Sequence, residues 1–354
     1  MAREVRNPRQ AEAGMAPLAL LLFLAAHGAA AGAAAGGPFR NLTTLRFDEG
    51  YAPLFGEGNV VPSADGRSVR LLLDRYTGSG FISSDLYSHG FFSAKIKLPS
   101  DYTAGIVVAF YMSNGDIFEK THDELDFEFL GNVRGRPWKI QTNVYGNGST
   151  SHGREERYHL PFDPTRDAHR YSILWTPDTI IFYIDDTPIR EVRRSAAMGG
   201  DYPSKPMSLY ATIWDGSNWA TSGGRYKVNY KYGPFAAEFS ELVLRGCRVD
   251  PVEMVPTAAA RCAEEEAALL AADYAALTPE RSAAMRQFRE TEMTYSFCYD
   301  TLRYPVTFPD CDVVPAELER FKESGHLKFG THRRRSRRRS RVPRSADPRH
   351  QAEM

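Results

Sequence analysis

The sequence predicts an all-β sandwich over residues 37–247, a disulfide-stapled extension with short helices over 248–325, and a basic tail. Three observations carry that reading. From about Phe39 to Cys247 the apolar residues fall in short alternating runs broken by Gly, Pro, Asn and Asp, as in strands that bury one face. No sustained 3.6-residue period interrupts them. The chain has 354 residues, 42% hydrophobic and 12% aromatic, enough for a large core and unlike a disordered or polytopic membrane chain.

The elements follow in chain order. Residues 16–26 are an apolar run that dissolves into Ala and Gly through Gly37, with several Ala-x-Ala cleavage choices. Residues 1–36 therefore read as a secretory signal. The leucine-rich part is shorter than the ~20 residues of a membrane span, so a secreted chain without a stable membrane anchor is expected. Ser68–Leu73, Gly90–Leu98 and Tyr171–Trp175 alternate and are bounded by turn residues, which makes them strands. Thr179–Ile184 leads through Asp185-Asp186-Thr187-Pro188 into Ile189–Val192, a hairpin.

After Cys247 the composition changes. Residues 257–277 are rich in Ala, Glu and Leu and predict a helix. A second helix starts with Thr278 as N-cap and Pro279 at the first position, turning Met285, Phe288 and Met293 inward. Residues 326–354 hold ten Lys/Arg against Asp347 and Glu353, a net of +8 that leaves −8 on the rest of a formally neutral chain. Such an Arg/Ser segment without an apolar face predicts a disordered tail. In a secreted chain it does not meet the nuclear import machinery, so acidic polysaccharide, and no nucleic acid, is the partner its charge suits.

The cysteines are Cys247, Cys262, Cys298 and Cys311, an even set that in an exported chain implies disulfides. Three pairings are open. Sequential pairing closes two short loops, each worth ~3 kcal/mol of chain entropy, and is preferred. Without a Cys-x-x-Cys pair or paired His, zinc is disfavoured. The sequons at Asn41 and Asn147 suit export and predict N-glycosylation.

One strand carries the chemistry. His122–Leu130 alternates strictly, so Glu124, Asp126 and Glu128 share one face while Leu125, Phe127 and Phe129 share the other. The apolar set must face the core, which leaves three like charges in a row. Such a ladder is unfavourable unless it is used. A solvated acidic edge is the bland alternative; a calcium site is another, but no Asp/Asn/Gly metal loop surrounds the strand, and no metal or cofactor is expected. Glycoside hydrolysis or transfer needs a carboxylate nucleophile and a carboxyl acid/base, ~5–5.5 Å apart for retention. Residues four apart on a flat strand lie roughly 13 Å apart at Cα, so the sheet must curve to bring Glu124 and Glu128 together. Asp126 between them helps hold the two in different protonation states. Gln141 and Asn143 alternate on a neighbouring strand, and a Gly/Ser-rich loop from Trp214 to Arg225 exposes Trp219, which suits sugar contact. Trp175, between aliphatics, reads as core.

These residues resemble a known family. Asp123–Asn132, Gln141-Thr142-Asn143, Gly153–Arg157, the Trp214–Gly224 loop and the cysteine-bearing end are similar to the plant xyloglucan endotransglucosylase/hydrolases of glycoside hydrolase family 16. The resemblance covers roughly Phe39 to Cys311. It implies a curved, concanavalin-like β-jelly-roll with a cleft on its concave face, and an extension that lengthens the acceptor side. It implies Glu124 as nucleophile, Glu128 as acid/base and Asp126 as helper. It further implies Gln141, Asn143, Arg154, Glu155, Glu156, Trp219, Ala220, Thr221, Gly223, Gly224 and Arg303 as substrate contacts, and disulfides Cys247–Cys262 and Cys298–Cys311. The partners implied are xyloglucan donor and acceptor chains, met by a monomer in the cell wall and apoplast. The shifted sequon at Asn147 and the basic tail look like the family's third subgroup, which holds both transferases and hydrolases. A lectin-like binding protein and a mixed-linkage β-glucanase are the rival readings. Pro161 stands where the family usually has Trp.

Overall fold

The computed structural model describes Phe39, residues 42–148 and residues 153–325. The expected signal, Asn41 and the basic tail lie outside the described residues. Two antiparallel sheets form the body. The first runs in the order β1 (Tyr51–Phe55), β4 (Ser79–Ser83), β13 (Ser208–Asp215), β6 (Ile106–Ser113), β7 (Glu124–Leu130), β8 (Lys139–Tyr145), β9 (Glu156–Tyr158), β15 (Met293–Ser296). The second runs β12 (Thr187–Arg193), β11 (Thr179–Ile184), β10 (His169–Trp175), β5 (Leu86–Lys97), β14 (Phe235–Val249), β3 (Ser68–Leu73), β2 (Val60–Pro62). Neighbours such as β13 and β6, or β14 and β3, are distant in sequence, so the chain repeatedly crosses between sheets as a jelly-roll does. The all-β sandwich expected from the alternation is what the chain forms, and the 179–192 hairpin is β11 and β12.

The core lies between the sheets. Leu125, Phe127 and Phe129 of β7 are fully buried. Phe127 meets Tyr171 and Phe182 edge-on, with centroids at 5.7 and 5.2 Å, and Phe129 meets Tyr171 at 4.7 Å. Burying each phenylalanine contributes on the order of 1.5–3 kcal/mol. A one-residue slip of β7 would exchange these rings for carboxylates, so the core fixes which face the acids occupy. Trp175 is fully buried, its indole N–H donating to the Pro203 carbonyl at 3.0 Å.

The extension differs in detail from expectation. The first helix, α1 (Phe47–Gly50), is a single turn before β1, and the Ala-rich segment forms α2 over Ala259–Leu270 alone. Leu269 and the following Tyr274 cover the outer face of the second sheet against Phe39, Phe91 and Tyr183. The next helix, α3 (Pro279–Glu292), is capped by Thr278, whose hydroxyl accepts from the Arg281 N–H, with Pro279 at its start. Phe288 packs against the core, Met285 is half-buried, and Met293 is buried but opens β15. Two elements were illegible in the sequence: β15, four residues long, and α4 (Pro315–Ser324). The disulfides are Cys247–Cys262 and Cys298–Cys311, so the sequential pairing is the one formed.

Candidate active site

Register places the carboxylates in cross-strand rows on the outer face of the first sheet. Glu128 stands between Ala109 of β6 and Gln141 of β8, Asp126 between Tyr111 and Asn143, and Glu124 between Ser113 and Tyr145. Thr212 of β13 extends the first of these rows. Together with Phe55, Glu155, Trp214 and Trp219, these side chains, Ser113 apart, line an open cavity of about 560 Å³. The three acids, Gln141 and Asn143 thus converge where the alternation put them.

Burial decides their protonation. Glu128 is pushed up to about 7, first by loss of hydration, with Glu124 and Glu155 adding and Gln141 and Arg157 opposing. Glu124 is also raised by burial, but hydrogen bonds from Ser113 and Asp126 and the neighbouring His122 restrain it. Asp126 is raised well above the carboxylate range by burial and by the acids on either side, with Arg190 opposing. The set holds a neutral Asp126 donating to Glu124, and two glutamates separated in proton affinity. That is the asymmetry a nucleophile and an acid need.

The Trp loop is pinned from below. Thr221 is buried, its hydroxyl accepting from the Gly105 N–H at 2.7 Å and donating to the Gly131 carbonyl at 2.8 Å. Gly105 has φ +81°, and a Cβ there would meet the backbone N of Val228 at 2.6 Å, so only glycine lets the loop sit down. Thr221, expected as a sugar contact, thus fastens the loop through its hydroxyl. Trp219, 37% exposed, and Trp214 face the cavity. Ala220, Gly223 and Gly224 are not brought to its wall; the two glycines hold the turn at φ +67° and +80°.

The segment that runs into β9 divides its side chains between two faces. Alternation lets Glu155 and Arg157 face the cleft and turns Arg154 and Glu156 the other way. Arg154, 1% exposed, pairs with Asp310 at 3.1 Å and donates to the Val144 and Asp201 carbonyls. Glu156, 3% exposed, receives Arg289 at 2.7 and 2.9 Å and the Tyr158 hydroxyl at 2.5 Å. Burial alone would raise Glu156, but Arg289 and Arg190 hold it down to about 2. Both side chains fasten the extension from inside, out of reach of the cleft. Glu155 pairs with Arg303, whose guanidinium also lies over Tyr304 at 4.9 Å. Arg303, expected as a substrate contact, thus stands beside the cleft-lining Glu155. The sequence reading missed Phe55, Tyr111 and Tyr145 in the cavity wall, and Arg157 beside it. Continuing the alternation from Glu155 would have found Arg157. Asn147 is exposed at a turn with φ +52°.

Residues 47–232 match the family model for glycosyl hydrolases family 16, and residues 265–311 match the xyloglucan endo-transglycosylase C-terminus. Fold and site are thus those of a family 16 β-sandwich glycoside hydrolase. "Probable xyloglucan endotransglucosylase/hydrolase protein 30" of Arabidopsis thaliana is 64% identical over 86% of this chain and 88% of its own length. Protein 29 of the same series is 59% identical over 82% and 84%. "Xyloglucan endotransglucosylase/hydrolase protein 2" is 42% identical over 77% and 90%. The chain belongs to the xyloglucan endotransglucosylase/hydrolase family.

Proposed function

We propose that this chain cleaves the β-1,4-glucan backbone of xyloglucan with retention and transfers the new end to another xyloglucan chain, remodelling the plant primary cell wall. The observation that supports it most is the row of three carboxylates, Asp126 buried and Glu124 and Glu128 half-buried, with divided proton affinities, flanked by Gln141, Asn143 and Trp219 in an open cleft. The Glu124 carboxylate attacks the anomeric carbon as the glycosidic bond breaks, and Glu128 gives its proton to the departing 4-oxygen. Asp126 donates to Glu124 and steadies its charge. Glu128, now ionised, takes the proton of an acceptor 4-hydroxyl, whose oxygen attacks the glycosyl-enzyme and frees Glu124. Water in place of the acceptor gives hydrolysis. The balance depends on how well the Trp219 loop and the Glu155–Arg303 pair hold an acceptor against ~55 M water.

Outside the cleft, a secreted, apoplastic chain glycosylated at Asn147 and Asn41 fits the signal and sequons, and the +8 tail fits retention on acidic pectin. Removing residues after Phe329 then lowers the salt needed to extract the chain from walls. The deciding experiment supplies fluorescent xyloglucan oligosaccharide with polymeric xyloglucan and assays reducing ends in parallel. Label entering polymer marks transfer, new ends without it mark hydrolysis, and neither marks a lectin-like binder. Glu124→Ala is expected to abolish both activities, and retained activity overturns the assignment.

A further inference from the structure

One cross-strand row runs from the body into the extension. Glu128, Gln141, Arg157 and Tyr295 stand opposite one another on β7, β8, β9 and β15. Their side chains touch in the same order. The Gln141 amide N–H donates to Oε2 of Glu128, Nε of Arg157 donates to Oε1 of Gln141 at 2.5 Å, and the Arg157 guanidinium lies over the Tyr295 ring at 4.9 Å. Tyr295 is itself tied by its hydroxyl to Asp300 at 3.0 Å, inside the Cys298–Cys311 loop.

The direction of these bonds matters. Arginine has donors and no acceptor, so it accepts only one orientation of the Gln141 amide, with the oxygen toward Arg157. The amide N–H groups must then face Glu128. Turned over, the amide would offer Glu128 an oxygen, and the carboxyl proton would be drawn to it and away from the sugar. With Oε2 occupied as an acceptor, the proton of the neutral acid rests on Oε1.

We propose that Arg157, backed by Tyr295 of the extension, is a positioning residue for the reaction: it locks the Gln141 amide so that the acid proton of Glu128 stays on the oxygen free to reach the leaving group. This rests on the assignment of Glu128 as acid/base. It gives the extension a part in proton transfer in addition to its place at the cleft edge. Several charged or titratable groups surround Glu128. On its own strand these are Glu124 and Asp126. Glu155, paired with Arg303, and Arg157 stand on the β9 side, Tyr111 on β6, and Arg190 beneath Asp126. Arg157 opposes the neutral form of Glu128 directly and through Gln141, so its loss strengthens the hold on the proton.

The test is the pH profile of kcat/KM and kcat for transfer and hydrolysis in Arg157→Met, Arg157→Lys, Tyr295→Leu and Gln141→Leu. Arg157→Met is expected to move the basic limb upward by about one pH unit and to lower kcat on the order of tenfold for both reactions, with a smaller change in acceptor KM. Arg157→Lys, still a donor-only cation, restores part of the limb. Tyr295→Leu shifts it in the same direction by less, and serves if Arg157→Met fails to fold. In a Gln141→Leu background, Arg157→Met adds less than it does alone. An unmoved basic limb with the loss confined to acceptor KM overturns the proposal, as do additive effects of the two substitutions. Glu128→Gln separates the two assignments: full activity in that variant removes the acid itself, whereas an inactive variant beside an unmoved Arg157→Met limb removes only the positioning role.

Discussion

Two sets of buried and half-buried acids sit within three adjacent strands of one sheet and behave in opposite ways. Glu124, Asp126 and Glu128 face the cleft, and the loss of hydration raises the proton affinity of all three. Glu156 on β9 faces inward, is at least as well buried, and is held down to about 2. The difference lies in the guanidinium groups. Arg289 and Arg190 reach Glu156, and their attraction exceeds its desolvation cost. On the cleft side the nearest cations are spent elsewhere: Arg157 on Gln141 and Arg303 on Glu155. One set is held in the cleft at a desolvation cost; the other ties the extension to the body.

Breaking the cleft set is expected to have the largest effect. Glu128→Gln should lower kcat for transfer and hydrolysis by roughly 10²–10⁴-fold, with no loss in the midpoint of urea unfolding, since it removes an acid that folding makes costly to ionise. Breaking the inward set should reverse the pattern. Glu156→Gln removes the carboxylate that Arg289 and Arg190 share, leaving Arg289 only Glu317, and should cost about 3–5 kcal/mol in urea unfolding, while kcat of the folded enzyme falls far less than in Glu128→Gln. The smallest effects come from pH alone. Because the folded pKa of Glu156 is depressed, its stabilisation is fully present above the ordinary glutamate range and is lost as pH falls from about 4.5 toward 2. Glu128 is raised, and the proposed mechanism requires it protonated for the first step, so activity should decline as pH rises through about 7. Unfolding midpoints from pH 2 to 6 and a kcat/KM profile from pH 4 to 9 check the two windows.

The same contrast shows how far the sequence could be read. Period-two alternation across His122–Leu130 was enough to put three acids on one face and three hydrophobes on the other, and burial of Phe127 and Phe129 then allowed no other register. The Gly153–Arg157 run was harder. The resemblance alone assigned Arg154, Glu155 and Glu156 together to the cleft. Adjacent residues of an extended chain cannot all face one way. The counter-ions that claim Arg154 and Glu156, Asp310 and Arg289, lie more than 130 positions further along the chain. Pro161 lines a shallow pocket with Trp138 and Phe162, and Phe162 stacks on His169 at 3.5 Å.

By itself the sequence determined the all-β body, the capped helix at Thr278 and the face of β7 that bears the acids, because strand alternation and capping are local properties. Tertiary structure alone decided which charges meet. It placed Arg303 on Glu155, Arg289 on Glu156 and Tyr295 behind Arg157, and so determined which carboxylates keep a proton. Electrostatic and hydrogen-bond energies depend on distance in space, and only the closed sheet and its docked extension set those distances.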